Sequence, residues 1–146
     1  MTTVQTIEKA LKEGNESSKK LHCFLENVRE LNDSFHLIPL LYGSLGLEVA
    51  LEQDLHPDDI DILIPEFYLE GRWEDFQREL GKKGYQLIDE HEHTFEKAGI
   101  KYSYASIENL EPFANISLGD MELVKRGDTL FKTLSLEQYL KVYEAS

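Results

Sequence analysis

Basic residues are scarce in this chain: 15 Lys and Arg stand against 28 Asp and Glu, leaving a formal charge of −13 over 146 residues. A surface that acidic repels phosphate backbones and anionic lipid at long range. The basic doublets Lys19-Lys20, Lys82-Lys83 and Lys125-Arg126 are scattered and form no tract, so the expected partners are small molecules, with nucleic acid disfavoured for the isolated domain. Cysteine is nearly absent as well. Cys23 stands alone, which excludes an internal disulfide, and it falls in an apolar helical pattern where a small buried hydrophobe is the default. Long hydrophobic runs are also lacking. The longest stretch free of Asp, Glu, Lys and Arg, Ser34 to Leu47, falls well short of the roughly 20 apolar residues that cross a bilayer, so no membrane partner is expected. Met1 to Glu13 interleaves charged and apolar residues, unlike the apolar core of a signal peptide, and the expected compartment is the cytoplasm. No internal repeat, linker or low-complexity segment interrupts the chain.

Enough remains to build a core. The chain is 41% hydrophobic and 10% aromatic, and its length fits one domain over residues 1–146. Thr3 to Lys12 and Ser17 to Leu31 read as helices, the second with Leu21, Phe24, Leu25, Val28 and Leu31 at helical spacing. Uncharged Leu37 to Tyr42 reads as a buried strand in which Pro39 marks an edge or a start. Ser44 is expected to cap a helix from Leu45 to Gln53, with Glu48 and Glu52 on one face and Leu47, Ala50 and Leu51 on another. Asp59 to Ile64 alternates cleanly, placing Ile60, Ile62 and Ile64 on one face and Asp59, Asp61 and Leu63 on the other. A helix from Arg72 to Lys82 follows. Strands are then expected at Tyr85 to Ile88, His93 to Glu96, Ile100 to Ile107, Met121 to Val124 and Thr129 to Lys132, and Ser135 caps a last helix from Leu136 to Glu144.

Two segments carry the chemistry: Tyr42-Gly43-Ser44-Leu45-Gly46-Leu47-Glu48 and Asp58-Asp59-Ile60-Asp61-Ile62-Leu63-Ile64. A buried strand delivers Gly-Ser to a helix start, where free N–H groups and the positive dipole end favour a phosphate. The next strand sets Asp59 and Asp61 two residues apart on one face, about 6.6 Å along the strand, where their oxygens can converge on one cation or a pair. Oxygen-only ligands of this kind suit Mg²⁺, which takes its remaining ligands from waters and substrate phosphates.

The Gly-Ser turn, the helix and the Asp-hydrophobic-Asp strand resemble the polymerase β superfamily of nucleotidyltransferases, in the forms of the CCA-adding enzyme head domain and the small lincosamide or aminoglycoside nucleotidyltransferases. The resemblance covers Leu37 to Pro65. It implies an α+β nucleotidyltransferase fold, a mixed β-sheet flanked by helices. Gly43 and Ser44 would hold the triphosphate of a nucleoside triphosphate, and Asp59 and Asp61 would be the catalytic pair that holds one or two Mg²⁺ ions. The activity implied is transfer of a nucleoside monophosphate to a hydroxyl of a small molecule or protein.

Three positions depart from the family pattern. Ser44 replaces the second glycine of the pair, Leu47 stands where CCA-adding heads carry arginine, and Glu48 stands where they carry aspartate. The strand from Ile100 to Ile107 offers no third carboxylate, the nearest acid being Glu108. These departures keep open a second function, a nucleotide-sensing or protein-interaction module without turnover, including a toxin-antitoxin component. His91 and His93 share a strand face in this reading but lack the third ligand of a zinc site. Tyr102 and Tyr104 share another face, where sheet packing outweighs stacking on a base or sugar.

Overall fold

In the computed structural model, which describes residues 1–146, a seven-stranded mixed sheet runs through the molecule with helices on both faces, an α+β arrangement. The elements in chain order are α1 (Thr3–Leu11), α2 (Glu16–Phe35), β1 (Leu40–Tyr42), α3 (Gly43–Leu51), β2 (Asp59–Ile64), α4 (Trp73–Lys82), β3 (Gln86–Asp89), β4 (Thr94–Lys97), β5 (Ile100–Ser106), α5 (Leu110–Ala114), β6 (Glu122–Arg126), β7 (Thr129–Thr133) and α6 (Leu136–Ala145). The strand order is β3-β4-β5-β2-β1-β7-β6. The pairs β2–β5 and β1–β7 are parallel, and all others are antiparallel.

Capping starts the outer helices where the sequence offers it. Thr2 and Gln5 form a reciprocal capping box on α1, Asn15 accepts the Ser18 N–H on α2, and Ser135 pairs with Gln138 on α6. In α2 the residues Leu21, Phe24, Val28, Leu31 and Phe35 recur at helical spacing and are buried against the sheet. Asn32 on the same helix clips it to β7: its amide nitrogen donates to the Leu37 and Leu130 carbonyls, and its oxygen accepts the Leu130 N–H.

The alternation in β2 divides the core as the sequence indicates. Ile60, Ile62 and Ile64 join the cluster beneath α2 and α4, with Phe24, Phe76, Phe95 and Tyr104, while Leu63 joins Leu40, Leu47, Tyr139 and Val142 on the opposite face. The second face is covered only in part. α5 and α6 lie over one end of it, and Asp59, Asp61, Lys101, Ser103 and Ala105 remain half-buried or exposed.

Several expectations are corrected. The strand expected from Leu37 begins at Leu40, because the chain pairs there through the Pro39 carbonyl, which accepts the Lys132 N–H at 2.8 Å. Pro39 therefore marks a start, and β1 is central, with neighbours on both sides. The helix expected at Leu45–Gln53 spans Gly43–Leu51. Its N-cap is Tyr42 with no side-chain hydrogen bond, so Ser44 is an exposed first-turn residue and does not cap it. The expected polar face of α3 is divided: Glu52 is exposed at its end, whereas Glu48 is buried among α1, α2 and the following loop. His91 and His93 lie in a turn, where His93 adopts a left-handed φ of 52° and shares no strand face with His91. α5 was not expected. It contains Pro112 at its third position, where the missing N–H costs no helix hydrogen bond.

α6 is pinned to the centre through Tyr139. Its buried hydroxyl donates to the Leu41 carbonyl at 2.6 Å, lies 3.0 Å from Thr133 Oγ1 and accepts the Leu134 N–H at 3.4 Å. The ring crosses Gly46 so closely that a Cβ there would lie 2.6 Å from it. Tyr139→Phe removes the hydroxyl from a dry site and leaves its partners short of a hydrogen bond, a loss of about 1–3 kcal/mol. Urea denaturation is expected to show that loss as a lower midpoint with an unchanged slope.

Candidate functional site

The open part of the second face holds a row of side chains set by strand register. Tyr42 on β1 lies opposite Asp61 on β2, Asp61 pairs with Ser103 on β5, and Ser103 pairs with Thr94 on β4. Asp59 sits two residues before Asp61 on the same face, beside Lys101. The structure thus brings together the two aspartates and the turn at Gly43.

Gly43 is the closest approach in the site. Its φ is +66°, and a Cβ on it would stand 2.8 Å from both Cβ and Cγ of Asp61 and overlap the carboxylate. Only a glycine both adopts that backbone conformation freely and leaves room for the acid. The first turn of α3 begins beside this contact, with Ser44 exposed next to it. Free N–H groups at the start of a nine-residue helix and the side chain of Asp61 therefore share one corner of the molecule.

The two carboxylates sit in different environments. Asp59 Oδ2 accepts a hydrogen bond from the Ser103 hydroxyl at 3.1 Å, and Ser103 Oγ lies 2.8 Å from Thr94 Oγ1. With its own proton committed to Asp59, Ser103 takes Thr94 as donor. Asp61 has no such support. Burial and then the Asp59 charge push its carboxyl up to about 6 from an ordinary 3.8, and no hydrogen bond offsets them. The neighbouring Tyr42 phenol is pushed up by burial and then by the Asp61 charge. Negative potential is concentrated here, and Lys101, the exposed register neighbour of Asp59, forms no salt bridge with either aspartate. No third Asp, Glu, His or Cys joins the pair to form a larger cluster. Two oxygen ligands with room beside them fit Mg²⁺, whose other ligands are waters and phosphate oxygens.

Other expected candidates lie elsewhere. Glu48 accepts the Ser17 hydroxyl at 2.5 Å and the Leu55 N–H at 2.8 Å, so it holds the loop between α3 and β2 in place. Glu108 accepts the Glu66 N–H at 3.1 Å beyond the far end of β5 and does not supply the third carboxylate. Tyr102 and Tyr104 point into the core, edge-on to Tyr85 and Phe76 respectively. The His93 ring packs edge-on against Trp73 at 4.7 Å. Cys23 is half-buried on α2 against the main core. Ser103 and Thr94 were missed. Alternation alone puts Ser103 on a strand face, but only the β2–β5 register reveals that this is the face of the aspartates.

Over 123 residues the chain is 39% identical to a protein of Bacillus subtilis (strain 168) described as the uncharacterized protein YnaI, an alignment that spans 84% of this chain and 79% of that one. No protein-family model and no solved structure matches the chain. No helix is long and apolar enough to cross a membrane.

The raised Asp61 carboxyl sets the sign of a stability effect. Between about pH 4 and 6 the folded state binds its proton more tightly than the unfolded chain, so this group's contribution to stability falls as pH rises through that window and stays low above it. The ionised form then costs on the order of 2 kcal/mol, discounted for partial exposure. Asp61→Asn is expected to be more stable than the wild type at about pH 7.5 by ~1–2 kcal/mol and to lose that advantage near about pH 4. Urea denaturation at both values checks this, and equal stabilities at neutral pH would show that the carboxylate is not strained.

Proposed function

We propose that this chain, which belongs to the same family as YnaI of Bacillus subtilis, binds a Mg²⁺–nucleoside triphosphate at the Gly43–Asp61 corner and transfers a nucleoside monophosphate to a hydroxyl. The observation that carries the reading is the meeting of an aspartate pair, free of salt bridges, with a glycine-initiated helix, the Asp61 carboxylate lying where only hydrogen fits on Gly43. Anionic oxygens and free N–H groups at one place are complementary to a metal-bound phosphate chain and to little else. The mixed sheet with helices on both faces supports a nucleotidyltransferase fold, as does the order of turn, helix and acidic strand.

The N–H groups that follow Gly43, with the Ser44 hydroxyl, take the β- and γ-phosphates. Asp59 and Asp61 would hold Mg²⁺, which when bound would supply positive charge to the phosphate oxygens. Ser103, backed by Thr94, holds the Asp59 carboxyl in one orientation. In the reaction the acceptor oxygen bonds to the α-phosphorus, the bond from that phosphorus to the bridging oxygen breaks, and pyrophosphate departs. The acceptor is a small molecule or a protein side chain.

A second reading rests on Ser103, which occupies the β5 position beside Asp61 where a third carboxylate would make a base. A domain so built binds nucleotide and signals it, or binds a protein partner, without turnover. Pyrophosphate release with ATP, GTP, CTP and UTP and a panel of hydroxyl compounds separates the two. The transferase reading predicts Mg²⁺-dependent release that falls at least about 100-fold in Asp59→Asn and Asp61→Asn. Binding without release in the wild type favours the sensor.

A further inference from the structure

A cleft lies on the side of Asp61 away from the phosphate-binding turn. β1 and β2 are antiparallel with Tyr42 opposite Asp61, so the chain at Gly43 continues toward the Asp59 end of β2, while Ile62 and Leu63 lead the other way. β5 runs parallel to β2 and sets Ala105 beside Leu63. The turn between β3 and β4 closes over this end, and the resulting space of about 360 Å³ is bordered by Tyr42, Asp61, Ser103, Ala105, His91 and Glu92. No lysine or arginine lines it. The cleft admits a neutral hydroxyl compound and repels a phosphorylated or carboxylated one.

The turn is held in position from both strands. The Glu92 N–H donates to Asp89 Oδ1 at 3.1 Å, and the Tyr104 N–H donates to the His93 carbonyl at 3.2 Å. His93 is occupied by Trp73. His91 is not: its imidazole is 93% exposed at the cleft, with Nε2 3.8 Å from Glu92 Oε1.

In-line displacement needs the entering oxygen and the leaving pyrophosphate on opposite sides of the phosphorus. With the pyrophosphate end at Gly43 and Ser44 and the α-phosphate at Asp61, the entering hydroxyl comes from this cleft. Resting on the transferase reading above, we infer that His91, at the mouth of this cleft, is the base that receives the proton of the acceptor hydroxyl. The oxygen–phosphorus bond forms as that O–H bond breaks, the proton passes to the imidazole, and the electron pair of the broken phosphoanhydride leaves with pyrophosphate. The role is one that β5 leaves open, since it carries Ser103 where an acid would serve. Histidine is the side chain most often used for such a transfer.

His91→Ala and Glu92→Gln test the assignment, because neither side chain is buried and both variants keep the core intact. Calorimetry reads binding of each Mg²⁺–nucleoside triphosphate, and a coupled assay reads pyrophosphate release with glycerol as the hydroxyl probe, with and without added imidazole. The expected result is unchanged binding in both variants, release reduced by about 100-fold or more in His91→Ala with partial restoration by imidazole, and release near the wild-type rate in Glu92→Gln. Release at the wild-type rate in His91→Ala overturns the inference and leaves the transferase reading standing. So does a loss that imidazole does not restore. Binding by the wild type with no release overturns both the base and the transfer step, and absence of binding overturns the nucleotide site itself.

Discussion

The contact between the Asp61 carboxylate and the backbone of Gly43 is the constraint on which the site depends. It fixes the identity of residue 43 twice, through a left-handed φ and through the space a side chain would need. It also sets the path of the chain, which leaves β1 and turns at once into α3. Because Tyr42 and Asp61 are register partners, the helix start and the acidic strand cannot be separated without breaking the central pair of the sheet. Asp61 is thereby kept half-buried beside a like charge, at a cost that the rest of the fold must offset.

The rest of the molecule is arranged to keep that corner in place. α3 is buried from Leu45 to Ala50, including Glu48, which is occupied entirely with Ser17 and the Leu55 N–H. Tyr139 crosses Gly46 and bonds to the Leu41 carbonyl, two residues before the critical glycine. From the other direction, Thr94 and Ser103 reach Asp59 across two strands. Rigid support on three sides and an uncovered fourth side are what the proposed anion- and metal-binding site requires.

Much of this was legible in the order of residues. β2 declared its bounds and both its faces, because three isoleucines alternate with Asp59, Asp61 and Leu63 before Pro65. Ser135 and Gln138 marked the last helix through capping chemistry, and the Gly43 turn was visible between an uncharged run and an amphipathic one. What could not be read depends on tertiary neighbours. The burial of Glu48 follows from a loop folding back on it. The exclusion of Ser44 from capping follows from the helix beginning at Gly43, two residues earlier than expected. The placement of Ser103 required the parallel β2–β5 register, and the division of labour between His91 and His93 required the position of Trp73.

The most direct test of the central claim is an amide NMR titration of the wild type and Asp61→Asn with each nucleoside triphosphate, in the presence and absence of Mg²⁺. The account predicts shifts confined to Gly43 through Gly46, to Asp59 through Asp61 and to Ser103, dependent on Mg²⁺ and lost in the variant. Shifts elsewhere in the molecule, or none at millimolar nucleotide, would contradict it.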